Sequence, residues 1–300
     1  MNDMTLPPAS GLGPQSGSLM PRAPLPVRVA IRLASEAFPG ALANMIFGRM
    51  FTPPRRKMPA IPLPESGRHQ TVKSGDVDLA VWMWEGHGPA VLLVHGWGGS
   101  ARSWSPAVDA LRKIGAKVVV FDLPAHGQSG GATADVASMA AAIGAVIGAT
   151  GAPDVVIGHS MGAAATVEYF CNPRNRCRKL VLIAPGGDLP SELELMSHAS
   201  GLSSRAVLAL KGRLERRFAR PLRECSVVHA VAAVTADVHL IHDRQDRVIP
   251  ADVSRRIMQE KPGATLLETQ GLGHFKILAD PAVHRLIAGI CAGVEAPAQA

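Results

Sequence analysis

A serine in the run Gly158-His159-Ser160-Met161-Gly162, directly after the apolar residues Val155-Val156-Ile157, is the first candidate for chemistry in this chain. A serine hydroxyl is a weak nucleophile until a neighbouring base takes its proton, and that base needs a third group to orient it. Glycines two residues to either side suit a sharp turn between a strand and a helix, where the two backbones pass close together. The setting agrees: Asp154 to Ile157 reads as a short buried strand and Met161 to Phe170 as an Ala-rich helix. Candidates for the acid and the base follow downstream. The apolar strand Val238 to Ile241 runs into a polar loop with two acids, Asp243 and Asp246, before Val248-Ile249-Pro250. Asp246, deeper in the loop, is the expected orienting acid; Asp243 is expected to end the strand and accept hydrogen bonds from loop amides. His274, in Gly271-Leu272-Gly273-His274-Phe275 after a strand at 265–268, is the expected base.

Upstream, Ala90-Val91-Leu92-Leu93-Val94 opens into His95-Gly96-Trp97-Gly98-Gly99-Ser100. A glycine-rich loop at a strand end can aim backbone N–H groups at a developing oxyanion, the largest single aid to acyl transfer. The expected donors are the amides of Trp97 and Met161, with His95, Gly96 and His159 bordering the substrate. A phosphate-binding reading is disfavoured, because neither Gly-x-x-x-x-Gly-Lys-Ser/Thr nor Gly-x-Gly-x-x-Gly with a suitably placed acid occurs.

Together with Phe121-Asp122-Leu123-Pro124-Ala125-His126-Gly127, these motifs resemble the α/β-hydrolase family over about residues 70 to 292. The resemblance implies a serine hydrolase that cleaves carboxylic esters or thioesters through an acyl-enzyme, with Ser160, Asp246 and His274 as its triad. Peptidase, lipase, acyltransferase and carbon–carbon bond hydrolase chemistry on the same triad stay open, as does a non-catalytic binding protein on the same fold. A serine rather than an aspartate at position 160 argues against dehalogenase and epoxide hydrolase chemistry. Ala125 departs from the family, where glycine is usual, and His126 is expected to be structural. No metal and no organic cofactor is implied.

The elements that must hold these residues follow from patterning. Strands are expected near 69–73, 77–85, 90–94, 117–122, 154–158, 179–184, 237–242 and 264–268, and helices near 103–114, 133–150, 160–171, 250–260 and 280–292. Strands joined through helices imply right-handed crossovers and a parallel sheet. The first two strands are expected to form an antiparallel hairpin through Lys73-Ser74-Gly75-Asp76. The expected fold is therefore α/β: a mostly parallel eight-stranded sheet with helices on both faces and a small helical cap inserted after the sixth strand, at about 186–232. With 47% apolar but only 4% aromatic residues, its core must be built from Ala, Val, Leu and Ile.

Residues 1–70 hold eight Lys/Arg against three Asp/Glu, so most of the formal charge of +7 sits there. Residues 1–26, rich in proline, glycine and serine, are expected to form a disordered arm. Residues 27–68 are expected to form a helical extension, with amphipathic helices at Val27 to Ala37 and Gly40 to Phe51. These helices either pack on the body or touch an anionic membrane. The cap carries seven Lys/Arg between Arg205 and Arg223 against Glu215 alone, either a solvated face or a positive rim that attracts anionic substrates or headgroups. No nucleic-acid module is recognisable. With no apolar run of seven after Met1, none of eighteen anywhere, and no Cys-x-x-Cys among Cys171, Cys177, Cys225 and Cys291, a cytoplasmic protein with reduced thiols is expected, peripheral to a membrane at most.

Overall fold

Short apolar runs that are buried along their whole length, such as Val91–Val94 and Val118–Phe121, mark strands covered by helices on both faces. A computed structural model of the chain describes residues 23–54 and 62–293. The expected arm before residue 23 lies outside them, as does 55–61 of the expected extension. Two helices come first, α1 (Leu25–Ala37) and α2 (Pro39–Met50). The hairpin β1 (Arg68–Ser74) and β2 (Val77–Trp84) leads to β3 (Ala90–Val94), α3 (Ser105–Lys113), β4 (Lys117–Phe121), α4 (Val136–Thr150), β5 (Val155–His159) and α5 (Met161–Phe170). After β6 (Lys179–Ile183) come α6 (Leu189–Ser200), α7 (Ser204–Phe218) and the single turn α8 (Val227–Ala230). The chain closes with β7 (Asp237–Asp243), α9 (Asp252–Glu260), β8 (Thr265–Thr269), the turn α10 (Gly273–Lys276) and α11 (Pro281–Ala292).

The eight strands lie in the order β1-β2-β4-β3-β5-β6-β7-β8. β2 runs antiparallel to both neighbours, and every pairing from β4 through β3 to β8 is parallel. Alternate residues of each strand feed two cores. Leu92, Val119, Val156, Leu180 and Leu240 meet α4, α5 and α9 through residues such as Met139, Ile143, Val167, Phe170 and Ile257. Leu93, Val120, Ile157, Val181 and Ile241 meet α3 and α11 through Val108, Leu111, Val283 and Ile287. Both faces are thus covered.

Two expected boundaries move. Helix α1 begins at Leu25, inside the expected arm, because Pro24 and Pro26 suit a cap and a first turn where N–H groups have no helical partner. The cap ends before residue 227, since Val227, Val228 and Val231 pack into the core beside α5 and α9. The N-terminal helices sit on the cap: Ala43 joins Leu193, Leu210, Leu214 and Leu222 in a third apolar cluster that Ile46, Phe47 and Phe51 complete.

Two carboxylates, the half-buried Asp135 and the buried Asp188, tie this upper layer to the body. Asp135 caps α4 through the Ser138 N–H (2.8 Å) and accepts the Arg217 guanidinium of α7 (2.6 Å). Asp188 accepts Ser226 (2.6 Å), Ser191 (2.5 Å) and, from α9, Arg256 (2.6 Å). Burial alone would raise both carboxyls. The hydrogen bonds from Ser138 and Arg217, and from Ser191, Ser226 and Arg256, outweigh it and hold both below the ordinary 3.8. A depressed folded-state value makes their stabilisation complete above the unfolded-state value and lost as pH falls through the folded one. Thermal melts should therefore show the midpoint falling below about pH 4. An Asp135→Asn/Asp188→Asn variant should start less stable at neutral pH and decline less on acidification; parallel curves would mean these groups carry no linkage.

Candidate active site

The C-terminal end of β5 turns into α5 within one residue. Ser160 makes that turn with φ 53° and ψ −122°, which no side-chain-bearing residue adopts cheaply. The turn is possible because its neighbours lack side chains: a Cβ on Gly162 would come within 2.3 Å of the His95 carbonyl oxygen, and one on Gly158 within 2.6 Å of Ala163 Cα. This packing puts the Ser160 hydroxyl above the sheet, between the loops that follow β3, β7 and β8.

The β8 loop brings His274 to it. Ser160 Oγ lies 3.0 Å from His274 Nε2, and His274 Nδ1 lies 2.7 Å from Asp246 Oδ2. The carboxylate can only accept, so Nδ1 carries its proton and Nε2 presents a lone pair to the serine hydroxyl. Asp246 is 1% exposed, and its Oδ1 accepts the amides of Val248 (2.7 Å) and Ile249 (3.0 Å). Burial would raise its carboxyl. Hydrogen bonds from His242 and His274 and from the loop amides override that and hold it well below the usual carboxylate range. The three side chains expected to act together are thus joined in one hydrogen-bonded chain.

Ser160, His159 and His274 form part of the wall of a cavity of about 470 Å³. Gly96, Trp97, Pro106, Val248, Phe275 and Leu278 supply half of the rest, and the lining is largely apolar. The amides of Trp97 and Met161 donate to no other group among the described residues. The Met161 amide is the first of α5, where the helix dipole adds partial positive charge.

A family model described as the alpha/beta hydrolase fold matches residues 89–203. The chain has the α/β-hydrolase fold. An esterase of Pyrococcus furiosus superposes with a TM-score of 0.61 at 22% identity, covering 79% of this chain and 97% of that one. An uncharacterized protein of Mycobacterium tuberculosis is 24% identical over 66% of this chain and 73% of its own length. The rat protein phosphatase methylesterase 1 is 30% identical over 144 residues, 43% of this chain and 37% of that protein.

Within this fold, some expected contacts turn out otherwise. His95, expected beside the substrate, is fully buried and away from the cavity. Its Nε2 accepts the Leu123 amide (3.0 Å), which leaves Nδ1 to donate to the Gly96 carbonyl (2.8 Å), so the ring staples two loops. Burial, with the nearby His126, lowers its pKa to about 3 and keeps it neutral. His159 does line the cavity, but its Nε2 donates to the His274 carbonyl (2.9 Å), and burial likewise lowers it to about 3. It braces the His274 loop. The arginines of the cap form no rim: none between Arg205 and Arg223 lines the cavity. Arg213 bonds Asn44, Arg217 bonds Asp135 and Arg220 bonds Glu168. Among the described residues, Arg102 is the one Lys, Arg, Asp or Glu in the lining.

Asp243 keeps to the strand end, where it accepts the Gln245 amide (2.9 Å), the Thr269 hydroxyl (2.9 Å) and the Leu272 amide (3.0 Å). It thereby fixes the loop that carries His274. Ala125 takes φ 63°, which explains why glycine is the easier residue there. Asp122 bridges two loops by accepting the amides of Ala101 (2.6 Å) and Gln128 (2.7 Å).

Sequence reasoning missed His242. Its ring is fully buried; Nε2 lies 3.1 Å from the Ile249 carbonyl and 3.4 Å from Asp246 Oδ2, and Nδ1 lies 2.8 Å from Ser254 Oγ on α9. Two acceptors face Nε2, so it carries the proton, and Nδ1 accepts from Ser254. The available signal was a histidine in register with Val238 and Leu240, on a core-facing side of β7. His242→Phe should leave Asp246 one donor short and cost about 1–3 kcal/mol in urea unfolding. His242→Gln, which can still donate, should recover part of that loss. Equal stabilities for the two variants would remove the hydrogen bond as the cause.

Proposed function

We propose that this protein is a serine hydrolase that cleaves a carboxylic ester or thioester with an apolar acyl or alcohol group. The observation that carries the reading is the continuous chain from Ser160 Oγ through His274 to Asp246, at 3.0 and 2.7 Å, beside an apolar cavity. Both distances are within reach for proton transfer without rearrangement. A volume of about 470 Å³ falls within the range that holds a small organic substrate.

In this mechanism His274 Nε2 takes the Ser160 proton as Oγ attacks the acyl carbon, and the carbonyl π pair moves onto oxygen. The Trp97 and Met161 amides donate to that oxyanion. The tetrahedral intermediate collapses, the bond to the leaving oxygen or sulfur breaks, and the imidazolium returns its proton to the leaving group. Water, deprotonated by the same imidazole, then attacks the acyl-serine and releases the acid. Asp246 stays ionised throughout because its low pKa keeps it from taking the Nδ1 proton, and it steadies the imidazolium. The esterase of Pyrococcus furiosus and the rat methylesterase support ester chemistry as the first class to test.

A fluorophosphonate probe should label Ser160, and Ser160→Ala should abolish labelling and cut kcat by about 10⁴-fold or more against a panel of aryl and alkyl esters and thioesters. Asp246→Asn should reverse the His274 tautomer and cost about 10³–10⁴-fold in kcat, while Asp243→Asn costs far less. Labelling that persists in Ser160→Ala, or a reversed order of the two aspartates in folded proteins, would overturn the assignment.

A further inference from the structure

Helix α1 is mounted with its polar side inward. Ser35 is fully buried; its hydroxyl accepts the Ser203 amide (2.9 Å) and donates to the Arg32 carbonyl (3.0 Å). The Arg32 guanidinium donates to the Leu202 carbonyl (3.4 Å), and just before the helix the Ala23 amide donates to the Ala199 carbonyl (3.0 Å). At Gly201, which ends α6, an added Cβ would stand 2.6 Å from the Arg28 carbonyl oxygen, so α1 packs there backbone to backbone. These contacts fix the helix's rotation.

They also turn its apolar side outward. Leu25, Val29 and Leu33, at spacings of four, form one stripe away from Ser35, and Val27, Ala30, Ala34 and Ala37 widen it; all are exposed. Leu25 is 69% and Leu33 66% exposed. Of the eleven exposed large apolar side chains among the described residues, six lie between Leu25 and Met45, and Leu208 on α7 is a seventh. Single exposed apolar residues are ordinary, but a cluster on one layer marks a surface that something covers.

Charge decides what that is. Arg32, Arg49, Arg205, Lys211 and Arg216 are exposed on the same three helices, against Glu36 and Glu215. A second copy meeting this face about a two-fold axis would set the same cations against one another. An anionic lipid surface satisfies both features: apolar side chains enter the acyl boundary while arginines and lysine meet headgroups. No helix among the described residues is long and apolar enough to cross a membrane, so contact would be with the surface. We propose that the outward face of α1, with Phe38, Met45 and Leu208 beside it, docks this protein on an anionic bilayer.

The test does not depend on the proposed hydrolysis, because it reads partition rather than activity. The full chain should sediment with vesicles of phosphatidylcholine and phosphatidylglycerol, much less with phosphatidylcholine alone, and be partly released by salt. Val29→Glu/Leu33→Glu should weaken partition by about a hundredfold or more, since burying each apolar side chain contributes about 1.5–3 kcal/mol, with the melting temperature unchanged. Should that double variant unfold, Leu33→Ser, a smaller change at an exposed site, should still weaken partition measurably. Wild-type protein left in the supernatant with both vesicles would overturn the proposal, as would a folded variant that pellets like wild type. A dimer in sedimentation velocity that Val29→Glu/Leu33→Glu dissociates, with no vesicle binding, would assign the face to a second copy instead.

Discussion

A carboxylate held in the interior must find hydrogen-bond donors from every side, and Asp246 sets that requirement for this site. An ionised group out of water is costly unless each oxygen is satisfied. Four donors converge on it: two amides of its own loop, His274 from the β8 loop and His242 from the end of β7. These come from different parts of the chain. Closing the loop over Pro250, seating α9 so that Ser254 meets His242, and bringing the β8 loop across to β7 are therefore one condition. Asp243, three residues earlier, performs the complementary task by gripping the start of the His274 loop. The two acids divide the work of orienting a ring and of anchoring the loop that carries it.

Backbone strain gathers at the same end of the sheet. Ala125, Ser160 and Ala184, none of them glycine, take φ of 63°, 53° and 45° at or just beyond the ends of β4, β5 and β6. Each such residue costs of order 1–3 kcal/mol and persists only where its surroundings over-determine it. Here they do: the Ser160 amide donates to the Ile183 carbonyl, the Ala184 amide to Ile241 and the Ala125 amide to Gly130. The hydrogen-bonded sheet behind these turns is the stiff element that keeps them in place.

Above the sheet lies a second layer with its own logic. The cap and the N-terminal helices share a small apolar cluster, and their link to the body runs largely through ion pairs and caps at Asp135, Asp188 and Glu168. Two cap arginines that read as free charge in the sequence, Arg217 and Arg220, are spent on these joints. The charge left exposed belongs to the outer surface, together with the outward face of α1, and away from the cavity.

Local pattern was enough for much of this protein. Val91–Val94, Val118–Phe121 and Val155–Ile157 announce buried strands because runs of branched apolar residues suit only a sheet covered on both sides. Gly158 and Gly162 announce the serine turn because only glycine tolerates backbones 2.3–2.6 Å from where a Cβ would stand. Ser160, His274 and Asp246 were legible because each sits where a strand gives way to a loop, and their order along the chain matched a known chemistry. Contacts between distant segments were not legible. That His242 would meet Asp246, that His95 would turn away from the cavity and that α1 would pack by its polar side depend on neighbours 28 and 168 residues away or on the path of an intervening loop. Sequence periodicity says that a helix has an apolar face. Only the tertiary structure, through Ser35, Arg32 and Gly201, decides which way that face points, because a few anchored polar groups can outweigh the burial of a short apolar stripe.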